Sequence, residues 1–245
     1  MNHELRIKNQ CIRDSCFLTP LFEDITMKYD NGDVKLYFGV KTCILDLLFP
    51  IACLSCGEKG AYLCPACRDA IPVLPPACFV CKKLTPQDGK APAGRTCKAC
   101  RKKSSIYASF SPFSYGHPVI RYALHHLKYR RVRGLAPLLG AMFCSSLAFH
   151  RVALPRDALL IPIPTHKSRE RVRGFNQARL IADEIAGKLG LTLGADVLRK
   201  IKKTAPQMEL LREARLANLA GAFAVSDPNA IRNRTCILVD DIKTT

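Results

Sequence analysis

The stretch TCILVDDIKTT, residues 235–245, decides how the fold is read. Cys236 to Val239 make a short apolar run of the kind that forms a buried strand, and two adjacent carboxylates, Asp240 and Asp241, follow it. Upstream, ALLIPIP (158–164) is a second such run, bounded by proline. Between them, FNQARLIADEIAGKLGL sets Ala178, Ile181, Ala182, Ile185 and Leu189 on one helical face, with Gly190 at the stop position. Strands alternating with helices predict a parallel sheet, whose ligands sit beyond the carboxyl ends of the strands. Asp240 and Asp241 occupy that place. Ionised aspartates only accept hydrogen bonds, so a pair of them suits sugar hydroxyls or a metal ion. A hydroxyl-bearing loop opening a helix, here beginning at Thr244 and Thr245, suits a phosphate. Acids beside a phosphate loop describe a phosphorylated ribose; the plain alternative is an acid pair capping a turn.

Two more helices precede this region. VIRYALHHLKY places Ile120, Ala123, Leu124 and Leu127 on one face, and LAPLLGAMFCSSLAF places Leu135, Leu138, Leu139, Met142 and Phe143 toward a core. His125 and His126 lie beside the first apolar face, where a surface or packing role outweighs metal binding or catalysis.

The N-terminal half reads differently. Eight of the 13 cysteines form four C-x-x-C pairs: Cys53/Cys56, Cys64/Cys67, Cys78/Cys81 and Cys97/Cys100. Each pair can aim two thiolates at one ion, and two pairs complete a tetrahedral zinc site without an open position, hence a structural one. Sequential pairing gives two tandem ribbons, and crossed pairing is the alternative. A segment this small and rich in Gly, Pro and Lys has little core of its own, so metal binding supplies most of its folding energy. The other cysteines have no paired spacing and read as ordinary small residues. Composition shifts after the basic run RKKSS, which places a boundary near residue 104.

Composition is globular, with 48% apolar and 24% charged residues, but 38 Lys and Arg against 20 Asp and Glu give a net charge of +18. Eight thiolates and two Zn2+ ions lower it to about +14, which still draws the chain to polyanions. Basic clusters lie at 101–103, 128–133, 167–173 and 199–203, with Tyr122, Tyr129 and Phe175 nearby as candidate stacking surfaces for single-stranded nucleic acid. The N-terminus lacks the apolar core of a secretory signal, and the apolar runs at 44–52 and 135–149 are shorter than the roughly 18 residues a membrane span needs. These features predict a cytoplasmic protein with no membrane insertion.

Three elements then occur in order behind LLFPIACLSCG and the cysteine block: PIPTHKSRERVRGFNQA (162–178), KTAPQMELLREARLANLAGAF (203–223) and ILVDDIKTT. Together they resemble the ComF family of competence proteins, over residues 45–245. The resemblance implies a double zinc ribbon joined to a type I phosphoribosyltransferase-like domain, an α/β fold with helices on both faces of a parallel sheet. Residues 1–42 would be an unassigned extension, 43–103 the ribbons and 104–245 the transferase-like domain. By analogy Asp240 and Asp241 would take the ribose 2′ and 3′ hydroxyls of 5-phosphoribosyl 1-pyrophosphate (PRPP), and Thr244 and Thr245 would begin the 5′-phosphate loop. Arg171, Arg173 and Gly174 are candidates for the pyrophosphate, with Mg2+ bound to it. No nucleophile or base is identifiable.

Family members are linked to single-stranded DNA during natural transformation. That makes DNA handling the leading expectation for this chain; an active transferase of nucleobase or amine salvage, or a ribbon adaptor docking a helicase-type partner, are the alternatives. The family pattern continues past the paired threonines, so a chain ending at Thr245 is expected to bind the sugar phosphate weakly. Residues 1–42 resemble nothing in the family and read as a disordered tail or a misassigned start, with an accessory segment as the second reading.

Overall fold

A computed structural model describes residues 26–30, 33–37, 50–85, 92–204 and 217–243. Contacts divide the chain into a unit of residues 1–51 and a unit of residues 52–245. In the first unit, strands β1 (Thr26–Asp30) and β2 (Asp33–Tyr37) pair antiparallel, Asp30 opposite Asp33. Asn31-Gly32 joins them in sequence, a dipeptide favoured in two-residue hairpin loops. The reading of residues 1–42 as a disordered tail or a misassigned start missed that signal.

The second unit opens with two ribbons built on one plan. In each, an isolated bridge (Ala52 with Lys59, Ala77 with Leu84) frames the first cysteine pair. The second pair begins at the N-cap of a short helix: Cys64 before α1 (Pro65–Asp69) and Cys97 before α2 (Lys98–Arg101). The residue after each first pair turns left-handed, Gly57 at φ 80° and Lys82 at φ 62°. Glycine takes that conformation freely, whereas lysine does so at a cost.

Three helices and a parallel sheet form the rest. Helix α3 (Pro118–Tyr129) buries Ile120, Ala123, Leu124 and Leu127, the face expected from spacing; Pro118 starts it with a φ already helical. Helix α4 (Leu135–Phe149) buries Leu135, Leu139 and Met142, and Leu138 and Phe143 are partly buried. Strand β3 (Leu159–Pro162) is buried throughout. Helix α5 (Lys167–Arg173) follows, then α6 (Gln177–Leu189), capped by the Asn176 side chain at its start and by left-handed Gly190 at its end. Leu189 is exposed rather than buried, because it falls in the last turn.

Strand β4 (Thr192–Leu193) pairs parallel with one edge of β3 and β7 (Cys236–Val239) with the other, giving the order β4-β3-β7. Strands β5 (Leu198–Lys200) and β6 (Phe223–Val225) form a separate antiparallel ribbon, followed by the one-turn helix α7 (Pro228–Ile231). The α/β class with a parallel sheet and a cysteine-rich ribbon region is thus as expected. One correction concerns β7, which is not wholly buried: Cys236 and Leu238 are exposed, Leu238 at 58%. Among the described residues it lies at one edge of the sheet, and only its alternate residues Ile237 and Val239 meet the core.

A single buried cluster joins α3, α4, α6 and β3 to Cys53, Leu63, Cys64 and Ile71 of the first ribbon. Leu127 lies at its centre with no exposed surface. Leu127→Ala should therefore cost about 2–5 kcal/mol, a fall in Tm of about 5–15 °C. Leu84→Ala, at a side chain 69% exposed, should shift Tm by less than about 2 °C; thermal melts of the two variants check the contrast.

Candidate functional site

The chain visits β3 first, moves to β4 on one side, then returns to β7 on the other. At such a reversal the loops leaving neighbouring strands diverge and open a crevice at their carboxyl ends. Here that rule puts the crevice between the ends of β3 and β7, which stay in register to the last pair, Pro162 opposite Val239. The Ile163 N–H then donates to the Val239 carbonyl at 2.8 Å. Asp240 and Asp241 follow directly on one side, and the 163–166 loop leading into α5 follows on the other.

Cations from three elements converge on the acids. The Lys128 ammonium of α3 meets the Asp241 carboxylate at 3.2 Å, and the Asp241 side chain is only 5% exposed. Arg173 of α5 is half-buried; desolvation works against its charge and Asp241 supports it. Its guanidinium lies over the Tyr129 ring at 5.9 Å and donates to the Gln177 side chain. Lys200 of β5 is pushed below the usual lysine range by desolvation and by Arg169, with Asp240 opposing. Arg169 also donates to the Thr204 carbonyl at 2.8 Å.

Asp240 is exposed as a residue, yet protein atoms crowd its carboxyl and, with the Asp241 charge as second cause, push its pKa up to about 7. Its carboxylate accepts from the Asp241 N–H at 2.9 Å. In the 163–166 loop the Thr165 hydroxyl is buried without a hydrogen-bond partner among the described residues. Such a group suits a polar ligand.

Of the residues singled out from sequence, Asp240, Asp241 and Arg173 are brought together. Arg171 is exposed; two residues from Arg173 on a helix, it points to the other side. Gly174 ends α5 at φ 86°, and its carbonyl accepts from Arg133 at 3.1 Å. Thr244 and Thr245 lie outside the described residues, as does 205–216 of the 203–223 element. Phe175, read as a stacking surface, is instead a packing residue: it is buried, with the Arg133 guanidinium over its ring at 5.0 Å. The reading missed Lys128, Arg169 and Lys200 as site residues. Arg169 was findable, since it precedes Arg173 by four residues and shares its helix face.

The ribbons supply two four-cysteine groups that could each hold a metal ion, and the structure groups the cysteines sequentially. Cys53, Cys56, Cys64 and Cys67 form one group and Cys78, Cys81, Cys97 and Cys100 the other, each with all sulfurs within 4.8 Å of one another. Cys56 and Cys64 Sγ are 3.7 Å apart and Cys81 and Cys97 Sγ 3.8 Å. A tetrahedron with Zn–S near 2.3 Å has edges of about 3.8 Å, so both groups fit zinc. Both also share an outer contact, the Cys64 N–H to Cys53 Sγ and the Cys97 N–H to Cys78 Sγ, each at 3.4 Å. Backbone N–H groups, from Cys56 and Cys64 for the one and Cys81 and Cys97 for the other, pull Cys53 and Cys78 down to about 6. That favours the thiolate form a metal requires.

Residues 44–101 match the double zinc ribbon domain family. The resemblance to the ComF family holds. Competence protein F of Haemophilus influenzae is 32% identical over 114 residues, covering 46% of this chain and 49% of the relative. DNA utilization protein YhgH of Salmonella typhi is 28% identical over 180 residues, covering 69% of this chain and 78% of the relative. The YhgH protein of Escherichia coli K12 is 26% identical over 180 residues, with the same coverage.

The two zinc ribbons should differ in what they support. Cys56→Ser and Cys81→Ser change equivalent exposed cysteines, and each should remove one of two zinc ions in native mass spectra. Among the described residues only the first ribbon shares the buried cluster, so Cys56→Ser should lower Tm by about 5–10 °C and Cys81→Ser by less than half of that.

The raised Asp240 pKa has a signed effect on stability. The folded chain holds this proton up to about pH 7 and the unfolded chain releases it near pH 4, so stability is lost as pH rises through that window. Asp240→Asn removes the loss. Melting curves should coincide at pH 4 and separate by pH 8, the variant higher by about 1–3 °C after discounting for solvent screening.

Proposed function

We propose that this chain is a DNA-utilisation protein of the competence type, which handles single-stranded DNA and carries a phosphoribosyl-binding crevice at the ends of β3 and β7. The observation that carries the reading is the acid pair Asp240/Asp241 at the sheet's reversal point, with Lys128 paired to Asp241, Arg173 and Lys200 within electrostatic reach of the acids, and Arg169 within reach of those two cations. Two acceptors beside several cations complement a sugar with adjacent hydroxyls and charged phosphates. PRPP is the ligand of this chemistry. Asp240 and Asp241 would accept from its ribose hydroxyls, Arg173 and Arg169 would neutralise the pyrophosphate, and Mg2+, where bound, would add positive charge against it. The relatives' names, a competence protein and a DNA utilization protein, support the role in DNA handling, as does the net charge of +18. The chain would act in the cytoplasm, where incoming strands and PRPP are both present.

Anisotropy of a labelled oligo-dT across a salt series tests the reading. Affinity should fall with salt at a log–log slope of about −2 to −4, the value for three to five neutralised phosphates at roughly −0.7 each. No binding at low salt would remove DNA handling from the account.

A further inference from the structure

On helix α3 the residues opposite the buried face are Tyr122, His125 and Tyr129, spaced i, i+3, i+7, with His126 beside them. Exposed aromatic rings usually scatter; these form a continuous row. The Tyr122 and His126 rings lie 3.9 Å apart, His125 and Tyr129 4.7 Å, and the two histidines 6.2 Å. Tyr122 is 47% exposed and Tyr129 54%. Their geometry is held from within the protein: His126 Nδ1 bonds the Tyr122 carbonyl at 3.0 Å, and the Arg173 guanidinium covers part of the Tyr129 ring. The row is flanked by cations, with Arg121 exposed on the helix, Arg130 exposed at its C-cap and Lys128 turned to Asp241. Through Arg173 and Lys128 its C-terminal end adjoins the crevice.

We infer that the outer face of α3 is a stacking platform for the unpaired bases of a single strand, and that it leads toward the Asp240/Asp241 crevice. A row of rings offers π-faces that any base can use, while the surrounding Arg side chains take the phosphates. A duplex keeps its bases stacked on each other and would meet only the cations. An acidic protein would also meet the cations but has no use for ring faces. This inference rests on the single-strand reading above and assigns it to particular residues.

The test is the double variant Tyr122→Ala/Tyr129→Ala, both side chains being exposed, with unchanged circular dichroism and Tm as the control for folding. Oligo-dT affinity should fall by at least about 30-fold, the loss of roughly two stacked bases, with the salt slope unchanged. Tyr122→Phe/Tyr129→Phe should bind within about twofold of the wild type. Arg121→Ala/Arg130→Ala should do the converse, lowering the slope by about 1. Since the chain has no Trp and 7 Tyr, quenching of tyrosine emission by oligo-dT reports the contact directly, and should be lost in the Ala variant. Wild-type affinity in that variant, or equal losses for single strand and duplex, would overturn the platform and leave single-strand handling intact. If the wild type binds no single strand, the broader reading fails first.

Discussion

An ammonium and a carboxylate 113 residues apart in the chain, Lys128 and Asp241, meet at 3.2 Å, the carboxylate side chain 5% exposed and the lysine side chain 22%. Such a pair gains from attraction only if both partners remain; with one removed, the other is left as an uncompensated buried charge. Its effect is to fasten α3 to the end of β7. One side of α3 is set by burial of Leu127 and its neighbours, the flank by Lys128, and what is left faces outward as the ring row. The same helix thus serves the core, the crevice and the surface.

The acids are also held from the other direction. Lys243, two residues past Asp241, lies over the Phe79 ring of the second ribbon at 4.7 Å and donates to the Ser109 hydroxyl at 3.4 Å. Desolvation and the nearby Lys82 push its pKa down, so this contact is a packed one. The first ribbon contributes Leu63 and Ile71 to the core, and the second touches the segment that carries the acids. Zinc ribbons that fold through their metal are in this way joined to the sheet on which the crevice is built.

Much of this was legible in sequence because the signals were periodic or paired. Helical spacing identified the buried faces of α3 and α4, Gly190 marked the end of α6, and four C-x-x-C pairs announced two metal centres. The strand end at Asp240 and Asp241 followed from the alternation of elements. What could not be read required three-dimensional neighbours. Lys128 and Lys200 look like ordinary surface lysines until the fold brings them to the acids. Phe175 looked exposed because it follows a basic run, and Arg133 covers it only after the chain turns at Gly174. The exposed alternate residues of β7 depend on its place at the sheet edge, which no local pattern encodes.

Helix α3 and the strand-end acids form one electrostatically coupled unit. A double-mutant cycle with Lys128→Met, Asp241→Asn and the pair together measures this directly through denaturant unfolding. A coupling of at least about 1 kcal/mol is expected, with Lys128→Met alone the most damaging and partly rescued by Asp241→Asn. Additive effects within about 0.3 kcal/mol would show that the two groups do not hold each other, and that the crevice is assembled in some other way.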